Sequence, residues 1–356
     1  MNIDIVYICD EDYLFPTIVS IRSLKRNSRK EFLYHIFIVV RDISELNKNL
    51  LLQEADRDQI DIKICYSKTD YRSIPYKHDY ISVITFAKFE LASILQHLDR
   101  VLYVDSDVLF RKGFEDIVAY NIDNVYVAAV KDMPVYEDGH LSGLGLHEYF
   151  NAGVMYLNLK KIRNENVEIS FFEYAKKQKH FKYAEQDTLN VVFKENVLFI
   201  HPQFNFLSVM DSMFTVDQIS VFYALSVHEV NKMLKERQDG ARIIHMAGGI
   251  KPWNTFKAEV SREWVSYFED FGEFSEWIKV VYYENLIKNI QNDVFDFKIQ
   301  IGQMREKINE LEVKNRELEN RNLLLDGRNH QLVLKVESIE NWILIRMYKR
   351  IKNLFR

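Results

Sequence analysis

The sequence predicts an α/β fold with a mostly parallel sheet, followed by a long helical coiled coil. Three observations carry this. Short apolar, β-branched runs alternate with helix-period segments through the first part of the chain, the order that a helix-covered parallel sheet produces. Those runs are continuously apolar, as strands buried on both faces are. From Ile287 onward apolar residues recur every seven positions, the seam of a coiled coil.

Taken in order, Ile3–Cys9 reads as a buried strand and Thr17–Arg26 as the helix after it. Tyr34–Val40 is a second strand, Ser44–Asp56 a second helix and Asp61–Tyr66 a third strand. Thr85–Leu98 reads as a helix, with Phe86, Phe89, Ile94 and Leu98 on related faces. Arg100–Val104, Val125–Val130 and Val154–Leu159 read as strands, Glu185–Phe193 as a helix, and Val197–Ile200 and Ala241–Ile244 as short strands. One domain, 1–272, is expected to hold them all, followed by a helical region and coil over 273–343 and a tail over 344–356.

The coil has Ile287, Val294, Ile301, Ile308, Asn315, Asn322, Asn329, Val336 and Ile343 at a. Ile290, Phe297, Met304, Leu311, Leu318, Leu325, Leu332 and Ile339 stand at d. Ile or Val at a with Leu at d favours two parallel strands, so a homodimer is expected; asparagine at a fixes register at a cost in stability. Gly302 and Gly327 fall on the solvated side. The plainer alternative is one amphipathic helix lying on its own domain, but the seam is longer than such a domain would cover. In the tail, Leu344, Tyr348, Ile351 and Phe355 share a face, with Arg346, Lys349, Arg350 and Arg356 mostly opposite. A basic amphipathic helix with Trp342 reads as a binder of anionic membrane surface; a solvated coil end is the alternative.

Composition excludes several classes. At 47% hydrophobic and 28% charged the chain is globular, not disordered. A net charge of −5 argues against a general nucleic-acid binder. Cys9 and Cys65 lie in apolar runs and read as small buried hydrophobes, not a disulfide framework. The N-terminus lacks a basic region and carries acids within its apolar stretch, unlike a signal peptide, and no run reaches the length of a membrane span. A cytoplasmic protein is expected, peripheral at the inner face of the plasma membrane if the tail binds lipid.

The strongest chemical motif is Val-Leu-Tyr-Val-Asp105-Ser106-Asp107. Two carboxylates at a strand's end repel unless a cation bridges them, and oxygen ligands suit Mg²⁺ or Mn²⁺. A helix cap or turn is the plainer reading of Asp-x-Asp alone. Downstream stands His245-Met-Ala-Gly248-Gly249-Ile-Lys251-Pro-Trp253. His245 is either a third ligand or a satisfied polar residue after a strand; as a ligand, its imidazole tilts the choice toward Mn²⁺. The glycines allow close backbone approach, and Lys251 offers charge for phosphate. Phe150-Asn151-Ala152-Gly153 and Ala184-Glu185-Gln186-Asp187 add amides and acids at element ends, with helix capping the plainer role for Asp187.

In this order the pieces resemble glycosyltransferase family 8, the retaining enzymes that include lipopolysaccharide galactosyl- and glucosyltransferases. The resemblance runs from Ile3 to about Trp253 and includes the opening Ile-Val-Tyr-Ile-Cys-Asp-Glu-Asp-Tyr and Thr85-Phe-Ala-Lys88. It implies a nucleotide-diphosphosugar transferase (glycosyltransferase-A-like) fold with a Rossmann-like mixed sheet, a UDP-hexose donor and a glycan or lipid-linked glycan acceptor. Asp105, Asp107 and His245 match the Mn²⁺ ligands. Asp10, Tyr13 and Lys251 match nucleotide-diphosphate contacts, with Ser106 and Gly248 beside them. Lys88, Asp132, Asn151, Gln186 and Asp187 match positions around the donor sugar. Asp12 stands where close relatives often carry asparagine. Two other readings are a nucleotidyltransferase, which would need a Gly- and Arg-rich loop where this chain has Cys-Asp-Glu-Asp-Tyr, and a catalytically silent coiled-coil scaffold.

Overall fold

The computed structural model of the protein describes residues 1–56, 58–71, 74, 82–137, 139–178, 182–236, 240–249, 251–253, 259–268 and 275–354. For much of 275–293 and beyond 347 it describes backbone alone, so Ile290 and most of the tail's expected faces, like the boundary near 272, lie outside the described side chains. The chain divides into two compact units, Met1–Tyr283 and Glu284–Arg356.

The first unit runs β1 (Asn2–Ile8), α1 (Leu14–Asn27), β2 (Leu33–Val40), α2 (Glu45–Leu52) and β3 (Ile60–Tyr66). A 3₁₀ stretch, Val83–Glu90, leads into the short α3 (Leu91–Ile94), then β4 (Val101–Val104), β5 (Val108–Phe110), β6 (Val127–Lys131), α4 (His140–Leu144) and β7 (Phe150–Leu157). There follow α5 (Leu159–Asn164), α6 (Val167–Lys177), α7 (Ala184–Phe193), β8 (Val197–Phe199), β9 (Phe206–Leu207) and α8 (Met210–Met213). The unit continues with α9 (Val216–Tyr223), α10 (Val227–Lys235), β10 (Ile243–His245) and α11 (Glu259–Phe268). The single helix expected at Thr85–Leu98 is a 3₁₀ stretch plus one α turn. Ile84, Phe86, Ala87, Lys88 and Phe89 are all buried there, so the segment has no solvated face for a regular amphipathic helix to present.

Seven strands form one sheet in the order β3-β2-β1-β4-β7-β6-β8. It is a mixed sheet, as the resemblance implies: β7 runs antiparallel to β4 and β6, while every other pairing is parallel. All eight residues of β7 and all four of β4 are buried. That burial explains the continuous apolar runs, and it explains why direction was hidden, because a fully buried strand reads alike either way. The core on one face joins Val6, Phe37 and Tyr103 from the strands to Phe86, Phe89, Phe171 and Phe193 from the cover, with Phe89 stacked on Phe171 at 5.2 Å. The strand expected at Ala241–Ile244 is β10, and it joins a second, three-stranded sheet, β5-β10-β9, that was not expected, since β5 and β9, of three and two residues, carry no readable period.

The helix α12 (Ser275–Leu354) supplies the second unit. It continues through Gly302 and Gly327, and among its described residues the apolar side chains are exposed: Val294, Ile301, Leu311, Leu318 and Leu325 are each about half accessible. Among the described residues no helix is long and apolar enough to cross a membrane.

Candidate active site

The carboxyl edge of the large sheet opens into a cleft of about 430 Å³. Ligands of open α/β sheets sit at this edge. Asp105 follows β4, Asp132 follows β6, and Asn151 is the second residue of β7. Because β7 is antiparallel to its neighbours, its beginning lies beside their ends. Asp105 N–H donates to Gly153 O at 2.7 Å, and Asp132 N–H to Tyr149 O at 3.0 Å. The small sheet brings in the fourth group. β10 pairs with β5 so that His245 stands opposite Val108, and Met246 N–H donates to Asp107 O at 2.9 Å.

His245 Nε2 therefore lies 3.2 Å from Asp107 Oδ1 and 3.8 Å from Asp105 Oδ2. Each of the three side chains offers one ligand atom, all within 4.8 Å of one another. Two carboxylate oxygens and one imidazole nitrogen suit a divalent cation that accepts both donor types. Gly153 makes the approach feasible: a Cβ there would stand 2.1 Å from His245 Cε1 and 2.9 Å from Asp105 Oδ2.

The tautomer of His245 follows from a chain of hydrogen bonds that starts at the backbone. Gly153 N–H donates to Asn151 Oδ1 at 2.9 Å, which fixes the Asn151 amide, whose Nδ2 donates to Asp132 Oδ2 at 2.9 Å. Asn205 then presents Nδ2 to the same Asn151 Oδ1 at 2.9 Å, leaving its Oδ1 to face His245 Nδ1 at 3.0 Å. That nitrogen must carry the proton, so the Nε2 lone pair is free to bind a cation.

The partners of Asp132, farther along the cleft, are amides. Gln186 Nε2 donates to Asp132 Oδ2 at 2.9 Å, and Gln186 Oε1 accepts from Ala152 N at 2.8 Å. Burial raises the Asp132 carboxyl above the ordinary range, against the opposing pull of Asn151, Gln186 and His245. At Asp107 burial acts in the same direction, but Lys251 and His245 outweigh it and hold the carboxyl well below that range. Lys251 is ion-paired with Asp107 and donates to Met246 O at 2.9 Å. Lys88 is buried 3.1 Å from Asp105, ion-paired with Glu185, and 4.7 Å above the Tyr103 ring. Burial alone would lower its ammonium, yet Asp105 and Glu185 raise it, so it stays charged.

Asp10, Tyr13, Ser106 and Gly248 also line the cleft. Asp10 Oδ1 accepts from Tyr13 N at 3.0 Å at the start of α1, and the Tyr13 ring meets Trp253 edge-on at 5.9 Å. Ser106 Oγ lies 2.7 Å from Thr17 Oγ1, tying the acidic turn to α1. Gly248 has φ of +94°, a conformation that suits glycine. Two of the sequence candidates stand apart. Asp12 is exposed and off the cleft wall. Asp187 is buried behind it, accepting from His140 Nε2 and Tyr149 OH at 2.7 Å each and from the backbone of Lys182 and Tyr183 at 3.2 Å. It braces the turn in which Ala184 takes φ of +46°, the turn that presents Gln186. Sequence reasoning missed Glu185, Tyr103 and Asn205. Glu185 lay inside a motif already singled out; nothing local marks the other two.

Residues 4–257 match the sequence model of glycosyl transferase family 8. The chain belongs to glycosyltransferase family 8. This transferase is 27% identical over 285 residues to a lipopolysaccharide 1,2-glucosyltransferase of Escherichia coli K12, covering 77% of this chain and 79% of that one. It is 29% identical over 213 residues to a Haemophilus influenzae sequence named as a glycosyltransferase, where the match spans 58% of this chain and 63% of the relative's length. Among solved structures, the galactosyltransferase LgtC in complex with donor and acceptor sugar analogs superposes with a TM-score of 0.62 at 25% identity, over 74% of this chain and 95% of that one. The mixed sheet is thus of the glycosyltransferase-A type.

Proposed function

We propose that this transferase moves a hexose, glucose or galactose, from a UDP-sugar to a glycan of the lipopolysaccharide type, with retention at the anomeric carbon. The observation that carries the reading is the convergence, in one cleft, of a cation-binding set (Asp105, Asp107, His245) and a hydrogen-bonding set (Asp132, Asn151, Gln186). The relatives' names support the hexose and the acceptor class.

Asp105, Asp107 and His245 are the residues that would hold Mn²⁺, with Mg²⁺ the alternative. Bound there, the cation supplies Lewis-acid neutralisation of the diphosphate. Lys251 adds positive charge toward the phosphates, and Asp10, Tyr13, Ser106 and Gly248 line the nucleotide side. Asp132, Asn151 and Gln186 orient the hexose hydroxyls, while Lys88 holds Asp105 in place and Asp187 braces the turn behind Gln186. Gln186 is uncharged and a poor nucleophile. The acceptor hydroxyl therefore attacks from the face that UDP leaves. The bond from the anomeric carbon to UDP breaks, the bond to the acceptor oxygen forms, and the acceptor proton passes to the departing phosphate oxygen. A sugar adduct trapped on any residue would overturn this step.

The chain reads as a catalytic domain over 1–272, a self-associating helix over 273–343 and a basic tail over 344–356. The tail would hold the enzyme at the inner membrane surface, next to a lipid-linked acceptor. Trp342, Leu344, Ile345 and Met347 are exposed, and the Arg346 guanidinium lies 4.4 Å over the Trp342 ring. Flotation with anionic liposomes, with and without residues 341–356, tests this; equal flotation removes the tail's role.

The test of the main reading is UDP release in Mn²⁺ from UDP-glucose, UDP-galactose and UDP-N-acetylglucosamine in turn, with and without oligosaccharide acceptors. Release from one hexose donor, absent in Asp105→Asn/Asp107→Asn, is expected. Mn²⁺-dependent release from none, even with acceptors, would favour a silent scaffold.

A further inference from the structure

The exposed seam of α12 has a charge pattern on its flanks that selects its partner. With Ile301 and Ile308 at a, the five g positions from 307 to 335 are Lys307, Lys314, Arg321, Arg328 and Lys335, all basic. Between 307 and 340 the e positions are Glu312, Glu319, Asp326 and Glu340, with Val333 the uncharged exception, while the e position before this stretch, Arg305, faces the uncharged Gln300 at g. All of these side chains are exposed. In a parallel, in-register pair, each g residue faces the e residue of the following heptad on the other helix. That matches Lys307 with Glu312, Lys314 with Glu319, Arg321 with Asp326 and Lys335 with Glu340, and no like charges meet over this stretch. An antiparallel pair would set the basic row against itself and the acidic row against itself. A single helix on its own surface would give neither row a reason to be of one sign.

We infer that α12 pairs in parallel and in register with α12 of a second copy of this chain, and that these flanking charges encode the orientation. The inference rests on the self-association proposed above and names its geometry. Asn315, Asn322 and Asn329 lie at successive a positions between the charged pairs, so each meets its own counterpart across the seam. Buried amides pair well only with each other, which penalises every shifted register.

Two measurements on the full chain test it. First, cysteine replaces Asn329 in a Cys65→Ser background. Parallel, in-register pairing brings the two sulfurs within disulfide reach, and oxidation is expected to yield a covalent dimer. An antiparallel pairing centred on the seam places position 329 opposite 301 and yields none. A chain that is dimeric by light scattering but not cross-linked overturns the geometry while leaving self-association intact; a monomeric chain overturns both. Second, one variant reverses the basic row (Lys307→Glu, Lys314→Glu, Arg321→Glu, Lys335→Glu) and another the acidic row (Glu312→Lys, Glu319→Lys, Asp326→Lys, Glu340→Lys). Each alone is expected to lose the homodimer, and an equimolar mixture to form a heterodimer, which also shows that neither variant failed by misfolding. Homodimers of either variant as tight as the native one, or a mixture that stays monomeric, would overturn the charge code.

Discussion

Asp107 and Asp132 are both buried aspartates at the same edge of the fold, yet burial is overcome at one and prevails at the other. Around Asp107 stand Lys251 and His245, and the ionised carboxylate is favoured. Around Asp132 stand two neutral amides, from Asn151 and Gln186. The cleft thus has a pole held together by charge, suited to a cation and a diphosphate, and a pole held by neutral donors, suited to hydroxyls. In the proposed reaction, placing both within one cleft would let charge leave with the nucleotide while the sugar is held by hydrogen bonds.

The sharpest break of this comparison is at the charged pole. Asp105→Asn/Asp107→Asn is expected to cut UDP-sugar turnover on the order of 10³-fold or more, with the fold checked by circular dichroism. Stability separates the poles next, measured in EDTA by thermal unfolding. The Asp107 carboxyl is held below its unfolded value, so its contribution is present above about pH 4 and is lost as pH falls through the folded value. Asp107→Asn should therefore cost about 3 kcal/mol at neutral pH, because the buried ion pair of Asp107 with Lys251 is broken. The Asp132 carboxyl is raised, so its ionisation opposes folding as pH climbs from the ordinary range through the raised value. Asp132→Asn should leave the neutral-pH melting temperature unchanged or higher; a drop matching that of Asp107→Asn would erase the distinction.

Gln186→Ala should lower kcat by about 10²-fold with Mn²⁺ affinity unchanged, and a loss of Mn²⁺ affinity would merge the poles. The smallest effect belongs to the link between them. Asn205→Ala should weaken Mn²⁺ binding about tenfold and shift the ¹⁵N signals of the His245 ring in metal-free protein. Unmoved ring signals would break the hydrogen-bonded chain from Gly153 to His245.

The two parts of the chain differ also in how far their sequence could be read. The seam of α12 is local and periodic, so its a and d residues stand out without any structure. The strands β1, β2 and β4 were visible as largely apolar runs and β3 as an alternating one, and Asp105 and Asp107 were legible because they follow β4 directly. The antiparallel direction of β7 was not, since Phe150–Leu157 is buried throughout and gives the same signal either way. Neither was the small sheet that seats His245 on Asp107: Ala241–Ile244 could be read as a strand, but its partners β5 and β9 are too short to show a period. The pairing of Lys88 with Glu185 joins residues 97 apart in sequence, and Asn205 acts through a side chain 40 residues from His245. Such partners are chosen by topology, and no local pattern records them. Asp187 illustrates the converse: its motif was plain, but burial behind the turn makes it a brace instead of a wall of the cleft.

The most direct test of the central claim, that a charged pole built from Asp105, Asp107 and His245 captures the diphosphate through a divalent cation, is a calorimetric titration of UDP into the purified chain, once in Mn²⁺ and once in EDTA. Binding in Mn²⁺ that disappears in EDTA, and that is absent under both conditions in Asp105→Asn/Asp107→Asn, is the expected result. Equal UDP affinity with and without the cation would contradict it.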